Sequence, residues 1–567
     1  MGTRGKQKAV PGRQHNHALV IGAAAVVAVV GAGVGAYVLM DSGGTSSAAT
    51  SDGKPEVKTG PPSAAEVRTA ADGFLTAWQA GDAAKAASYT DDASAAQAAL
   101  TGLTKDARLT DVKVTPGTRT GAKVPFHVAS TVSYEEKGAD AKKLSKPYAY
   151  DSSLTAVRRK SDGKVLVGWQ PSVAHPELKD GDRLVTGEAG DPPVKAEDRD
   201  GGELTAKKYP SLGTVIDGLR EKYGKKAGGT AGVELRVVRK APAKGAEKNA
   251  LPDKTLVTLS EGTPGTVKTT ISPAVQAAAE KQVASREKAS VVVLRPSTGE
   301  ILGVANSSHG FNTAFQGSLA PGSTMKVITS SLLLEKGLAG VDKKHPCPKY
   351  FTYGHWKFQN DDKFEIKDGT FKASFARSCN TAFISQAPKL ENDSLTKQAQ
   401  QVFGLGLDNW AIGVPSFDGS VPVQSDAQMA ASLIGQGAVR MNPLNMASVT
   451  ATVKSGTFHQ PYLVSPDVDH RTLAKAARSL SAGTAADIRE LMHYTAVAGT
   501  AVEPMSGLGS DMGAKTGSAE VDGQKEPNGW FTAWRGDLVS AAVVEQGGHG
   551  GDSAGPVVRQ MLLNGAG

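Results

Sequence analysis

The sequence predicts a multidomain α+β protein carried behind one membrane-spanning helix. Three observations predict it. Ala18 to Met40 is apolar and holds no charge. Apolar residues at helical spacing around residue 70 give way to short runs at strand spacing. A buried-hairpin pattern near residue 290 opens the last and largest unit. At about 150 residues per domain, 567 residues allow about four units. Hydrophobic residues make up 40% and charged residues 21%, a globular composition, but aromatics are only 5%, so the cores must be built from Ala, Val, Leu and Ile.

The elements follow in chain order. Residues 1–17 form a tail with Arg4, Lys6, Lys8 and Arg13 and no acid. Residues 18–40 are long enough at 1.5 Å per residue to cross a hydrocarbon layer of about 30 Å. The basic flank places the tail in the cytoplasm and everything after Asp41 outside. A cleaved signal peptide, with Val34-Gly-Ala36 as cleavage site, is the competing reading. Residues 41–62, rich in Ser, Gly, Thr, Lys and Pro, read as a flexible linker. In 63–175, Val67, Ala71, Phe74, Leu75 and Trp78 form one helical stripe, Gly81 ends that helix, and Asp82 can cap a second. Strand-like runs follow at Ala107–Val114, Val124–Tyr134, Ala149–Val157 and Lys164–Trp169. Residues 176–285 alternate charged turns with short amphipathic pieces. From 286 onward, Ser290–Leu294 and Ile301–Ala305 read as a hairpin across the turn Pro296–Gly299.

Composition excludes several functions. The net charge is +8, but half of it sits in the tail, so the body offers no basic surface for nucleic acid. Two cysteines cannot build a disulfide-dense scaffold or a four-cysteine zinc site. No H-E-x-x-H or C-x-x-C occurs, so no metal and no cofactor is expected.

The chemistry rests on serines. S-x-x-K begins at Ser51, Ser161, Ser285, Ser323 and Ser394, so the motif alone decides nothing. Ser51 lies in the linker, Ser161 in a hairpin turn, and Ser285 and Ser394 in charged stretches read as surface. Only Ser323 follows a Pro-Gly break and opens an apolar helix, Met325 to Leu334. There the helix dipole favours a developing oxyanion, and Lys326 lies one turn on with a charge that burial would destabilise. Read alone, the motif at Ser323 is more often a helix cap followed by a surface lysine. Two further motifs decide between these. Ser378-Cys-Asn380 is an S-x-N. K-T-G occurs at Lys58 in the linker and again at Lys515-Thr516-Gly517-Ser518, where it starts an apparent strand.

The order S-x-x-K, S-x-N, K-T-G resembles the penicillin-recognising serine enzymes. Asn312–Gln316 leading into Ala320–Lys326, Ser378–Phe383, Ile434–Gly437 with Pro443–Met446, and Ala514–Glu520 with Gly529–Thr532 extend the resemblance to class B penicillin-binding proteins. Ser518 stands where that family commonly has Thr. Two helices and a curved sheet closing on Trp169-Gln-Pro171 resemble the nuclear-transport-factor-like domain of methicillin-resistance-type members. The family then implies an elongated pedestal or dimerisation-type domain over 176–285 and a β-lactamase-like transpeptidase domain over 286–567. It implies that Ser323 attacks a D-Ala-D-Ala stem peptide, Lys326 takes its proton, Ser378 relays it, and Asn380 orients Ser378. Lys515, Thr516, Gly517 and Ser518 would hold the substrate carboxylate, and the N–H groups of Ser323 and Ser518 the oxyanion. Implied partners are peptidoglycan stem peptides or their lipid-linked precursor, β-lactams, the cytoplasmic membrane, and a glycosyltransferase or division and elongation proteins.

A D,D-carboxypeptidase would use the same residues with water as acceptor, and a non-catalytic β-lactam sensor or division scaffold remains an alternative. A β-lactamase would need an added deacylating base. In an oxidising compartment, Cys347 and Cys379 are expected to form a disulfide tying a loop to the second motif, unpaired thiols being the alternative. Gly551-Asp-Ser-Ala-Gly-Pro556 looks like a protease nucleophile segment. No His follows Ser553, so the stretch is expected to be a glycine-rich turn before a helix over Val557–Leu563.

Overall fold

The alternation of buried and exposed side chains in a long hairpin organises the first half of the chain. In the computed structural model, residues 57–136, 142–242 and 251–565 are described. The expected tail, the membrane helix and linker residues 41–56 lie outside the described residues. Among those described, no helix is long and apolar enough to cross a membrane.

Helix α1 (Ala64–Gln79) starts at a capping box in which Ser63 and Glu66 satisfy each other's backbone N–H groups. Its buried stripe includes Val67, Ala71, Phe74 and Trp78. Asp82 caps α2 (Ala83–Ala87), and Asp92 caps α3 (Ala93–Lys105). The sequence suggested two helices here. A third exists because Asp92 restarts the Ala-rich segment with its own cap. The helices pack on an antiparallel sheet of order β1-β2-β3-β4: β1 (Leu109–Pro116), β2 (Lys123–Glu135), β3 (Lys143–Arg158) and β4 (Val165–Val167). Along β2 every second residue from Val124 to Tyr134 is buried, which is the period of a half-buried strand. Phe74–Trp78 and Trp78–Phe126 meet edge to face at 5.8 and 5.7 Å.

Residues 176–285 are divided between two cores. Strands β5 (Arg183–Ala189), β8 (Gly232–Val238) and β9 (Lys254–Ser260) form one sheet, and their Leu184, Val233, Leu235 and Val237 join the core of the N-terminal unit. Strands β6 (Val194–Glu197), β7 (Glu203–Leu204) and β10 (Gly265–Lys268) form another. Their Ala196, Leu204 and Val267 join the C-terminal core, as does Leu219 of the helix Gly213–Tyr223. Neither small sheet has apolar area enough for a core of its own.

The C-terminal unit is built on one antiparallel sheet of order β12-β11-β17-β16-β15. Its strands are β11 (Ala289–Leu294), β12 (Ile301–Asn306), β15 (Met512–Ala519), β16 (Asn528–Arg535) and β17 (Leu538–Val544). Strands β11 and β17 read as nearly continuous apolar runs because both faces are covered. Val291 and Val293 face the helices Pro273–Ala284 and Gly550–Asn564, while Val292 and Leu294 belong to the opposite core, with the helices Lys326–Glu335 and Pro443–Ser455. Strand β15 is an edge, and it carries K-T-G in mid-strand rather than at its start.

The stretch expected as a turn at 551–556 is helical, and the final helix runs from Gly550 to Asn564 with Pro556 inside it. A Cβ on Gly550 would collide with the carbonyls of Trp530 and Gly517. The glycine lets the helix start lie against the sheet.

Candidate active site

Ser323 sits in a 3-10 turn, Gly322–Met325, which runs directly into the buried helix Lys326–Glu335. Gly322 has φ +52°, and a Cβ there would strike the Ser518 carbonyl. Only glycine lets the turn lie this close to the edge of β15. Gly435, at φ +77°, presses on the turn from the other side. It accepts the Gly322 N–H at 3.0 Å, and a Cβ there would strike the Gly322 carbonyl. The turn that carries Ser323 is thus clamped between β15 and the Ile434–Gly437 segment.

Lys326 is fully buried. Its Nζ donates to Ser323 Oγ at 2.8 Å, Asn380 Oδ1 at 2.7 Å and the Ser378 carbonyl at 2.8 Å, and lies 3.4 Å from Ser378 Oγ. Ser378 holds φ +56°, rare for a non-glycine residue, at the turn before the short helix Asn380–Ile384. Lys515, also fully buried, donates to Ser378 Oγ at 3.0 Å. The structure therefore brings Ser323, Lys326, Ser378, Asn380 and Lys515 into one hydrogen-bonded cluster. Burial, and then the neighbouring charge of Lys515, push Lys326 well below the ordinary lysine range, against a small opposing pull from Asp361. Burial lowers Lys515 to about 7. An amine whose charged form burial disfavours, hydrogen-bonded to a hydroxyl, is able to accept that hydroxyl's proton.

Thr516 Oγ1 lies 2.6 Å from Thr500 Oγ1, and Ser518 Oγ is 3.5 Å from Nδ1 of His549. A Cβ on Gly517 would meet the Thr324 backbone N at 3.0 Å, so this position too needs the small residue. Cys347 and Cys379 form a disulfide with Cα atoms 6.1 Å apart. The bond joins a loop residue to the middle residue of the second motif.

Ser51 lies outside the described residues, and the other candidate serines among those described lack such partners. Ser553 Oγ donates to its own helix's first turn, the His549 carbonyl, at 2.9 Å. Ser394 is buried, not on the surface as its charged neighbours suggested, because it opens the amphipathic helix Ser394–Phe403. Lys397 turns outward to Asp393, 2.7 Å away. Sequence reading missed Thr500, Asn360, Asp361 and His549. None lies in a recognisable motif, and each reaches the cleft only through tertiary packing.

The sheet, the buried helix after Ser323 and the three converging motifs define a penicillin-recognising serine enzyme. A penicillin-binding protein transpeptidase domain matches residues 289–563, and an NTF2-like N-terminal transpeptidase domain matches residues 66–182. The chain belongs to the class B penicillin-binding proteins with a methicillin-resistance-type N-terminal domain. It is 29% identical over 357 residues to the peptidoglycan D,D-transpeptidase PbpA of Mycolicibacterium smegmatis, covering 53% of this chain and 72% of that protein. The PbpA of Mycobacterium tuberculosis is 26% identical over 362 residues, with coverage of 53% and 72%. Among solved structures, Pseudomonas aeruginosa PBP2 in complex with WCK 5153 shares the fold, with a TM-score of 0.51 at 20% identity, covering 66% of this chain and 96% of that one.

Proposed function

We propose that this protein is a peptidoglycan D,D-transpeptidase that works through an acyl-enzyme on Ser323 and is acylated there by β-lactams. The observation that carries the proposal is the contact between Lys326 Nζ and Ser323 Oγ at 2.8 Å, with the lysine fully buried. Neutral Lys326 takes the Ser323 proton as Oγ attacks the carbonyl between the two terminal D-alanines. The Ser323–acyl bond forms and the peptide C–N bond breaks. Ser378, within reach of both lysines, passes a proton to the departing D-alanine amine, and Asn380 fixes Lys326 and Ser378 relative to each other.

Charged Lys515, Thr516 and Ser518 line the β15 edge where the substrate carboxylate would lie. The Ser518 carbonyl faces Gly322. In an extended strand the N–H of a residue points to the same side as its carbonyl, so the Ser518 N–H is available with that of Ser323 for the oxyanion. An amine from a neighbouring stem then takes the acyl group and frees Ser323. The names of the PbpA relatives support this activity. Anchoring through residues 18–40, with the catalytic unit outside the membrane, belongs to the same proposal.

The alternatives differ in what resolves the acyl-enzyme. Among the described residues no carboxylate is hydrogen-bonded to Ser323, Lys326 or Ser378, which favours a long-lived penicillin adduct over β-lactamase turnover. The test is mass spectrometry of the protein after exposure to benzylpenicillin. An adduct on Ser323 that persists for many minutes supports the assignment; one that decays within seconds marks a β-lactamase and overturns it.

A further inference from the structure

We propose that Asn360 is the positioning residue that sets the second motif against Lys326, an inference that rests on the function proposed above. Asn360 follows β14 (Trp356–Gln359), the partner of β13 (Tyr350–Tyr353) in a two-stranded ribbon outside the main sheet. It is only 1% exposed. Its Oδ1 accepts the backbone N–H of Asn380 at 2.8 Å and of Thr381 at 3.0 Å. Its Nδ2 donates to the carbonyls of Pro348 at 3.0 Å and Phe364 at 2.9 Å. One side chain therefore ties the start of the helix Asn380–Ile384 to two separate points of the 347–366 loop. The preceding residue joins in: the Gln359 carbonyl accepts Asn380 Nδ2 at 3.3 Å. The main chain and the side-chain amide of Asn380 are thus held by consecutive residues of another segment.

This matters because Lys326 reads the position of the motif directly. Two of its acceptors are the Ser378 carbonyl and Asn380 Oδ1. Ser378 holds a left-handed backbone conformation that it would not keep by local preference. The helix that follows is five residues long and cannot fix its own start. The disulfide holds Cys379 from the same loop but satisfies neither N–H. Asn360 supplies the acceptor that both need.

A purely structural cap would change how much protein is folded. A positioning residue changes how fast folded protein reacts. The experiment uses the full-length chain and benzylpenicillin, and measures the saturating first-order acylation constant, the half-saturating concentration and the fraction finally labelled. For Asn360→Ala the rate constant should fall about 10- to 100-fold. The half-saturating concentration should stay within about three-fold, because the carboxylate grip on β15 is untouched, and the final labelled fraction should match wild type. Asn360→Asp keeps the acceptor oxygen but loses both donations, to the Pro348 and Phe364 carbonyls, so it should recover only part of the rate. An alanine variant with wild-type rate constant, whatever its labelled fraction, overturns the inference.

Should the alanine variant not fold, amide hydrogen exchange on the wild-type chain decides. The N–H groups of Asn380 and Thr381 should both be protected, and fast exchange at both overturns the inference. A wild-type chain that benzylpenicillin never labels would overturn the proposed function and this inference with it. Labelled wild type with an unaffected alanine variant overturns this inference alone.

Discussion

Lys326 and Lys515 reach the same hydroxyl: their Nζ atoms lie 3.4 and 3.0 Å from Ser378 Oγ. Both are fully buried, and two ammonium groups so placed repel each other in a medium that screens weakly. The pair titrates as a unit. The proposed mechanism needs Lys326 neutral and Lys515 charged, and the structure depresses Lys326 by burial and by the charge of Lys515.

The first prediction is the pH dependence that follows. Acylation needs Lys326 without its proton, so the rate rises as pH increases through the depressed Lys326 value. Carboxylate binding needs charged Lys515, so it weakens as pH rises through about 7. The apparent second-order constant for benzylpenicillin should therefore be bell-shaped, with its falling limb starting near neutral pH. A constant that climbs steadily to pH 9 would contradict these roles.

Substitutions at the nucleophile separate the competing serines. Ser323→Ala should abolish covalent labelling. Lys326→Ala should slow it by at least about 100-fold, since an unassisted hydroxyl is a poor nucleophile. Ser553→Ala should label like wild type, because its hydroxyl only donates to the His549 carbonyl. Gel fluorescence with a labelled penicillin checks all three.

Gly435→Ala tests the clamp on the nucleophile turn. A Cβ at this position strikes the Gly322 carbonyl, and φ is +77°. The strain should cost about 1–3 kcal/mol, and the displaced turn should slow acylation even in protein that remains folded. Thermal unfolding and acylation rate are the two readouts.

Replacing both Cys347 and Cys379 by Ser should remove about 3–4 kcal/mol of stability in the loop-entropy description. Cys379 also caps the helix Asn380–Ile384 by accepting the Ala382 N–H at 3.2 Å. A serine hydroxyl can take over that cap, so the loss should be in stability more than in helix start. Denaturant unfolding in the presence and absence of reductant checks it: reductant should lower wild type and leave the double variant unchanged.

Phe74→Ala should destabilise the N-terminal unit by about 3–5 kcal/mol, since Phe74 is fully buried against Trp78 and Trp169. Penicillin acylation should persist, because the hydrogen bonds that assemble the Ser323 cluster come from residues 323–515 and none from the 64–167 helices and strands. A clean deletion of 63–175 is a poorer test. It would expose Leu184, Val233, Leu235 and Val237, which share that core.

Much of the chemistry was legible in order and residue type alone. S-x-x-K after a Pro-Gly break, S-x-N and K-T-G are local patterns, and the strand-like run Val124–Tyr134 and the hairpin runs that became β11 and β12 are local too. The reading failed where a residue's role depends on a distant neighbour. The stretch Gly551–Pro556 looked like a turn but is helical, because the helix starts one residue earlier, at Gly550, where only a glycine fits against the carbonyl of Trp530. Ser394 looked exposed because its neighbours are charged, yet its own side of the helix faces the core. Residues 176–285 looked like one unit because they are contiguous, yet they pack into two cores.

By itself, then, the sequence determined the serine, its lysine, the order of the three motifs and the strand and helix periods, since these follow from side-chain chemistry and from the 2.0 and 3.6 residue repeats. Only the tertiary structure decided that Ser323, Ser378 and Lys515 converge, that Lys326 and Lys515 are buried enough to lose their ordinary proton affinity, and that Asn360 holds the second motif. Contact across the chain depends on which faces must be hidden from water together, and burial, not residue identity, sets the charge state of an amine.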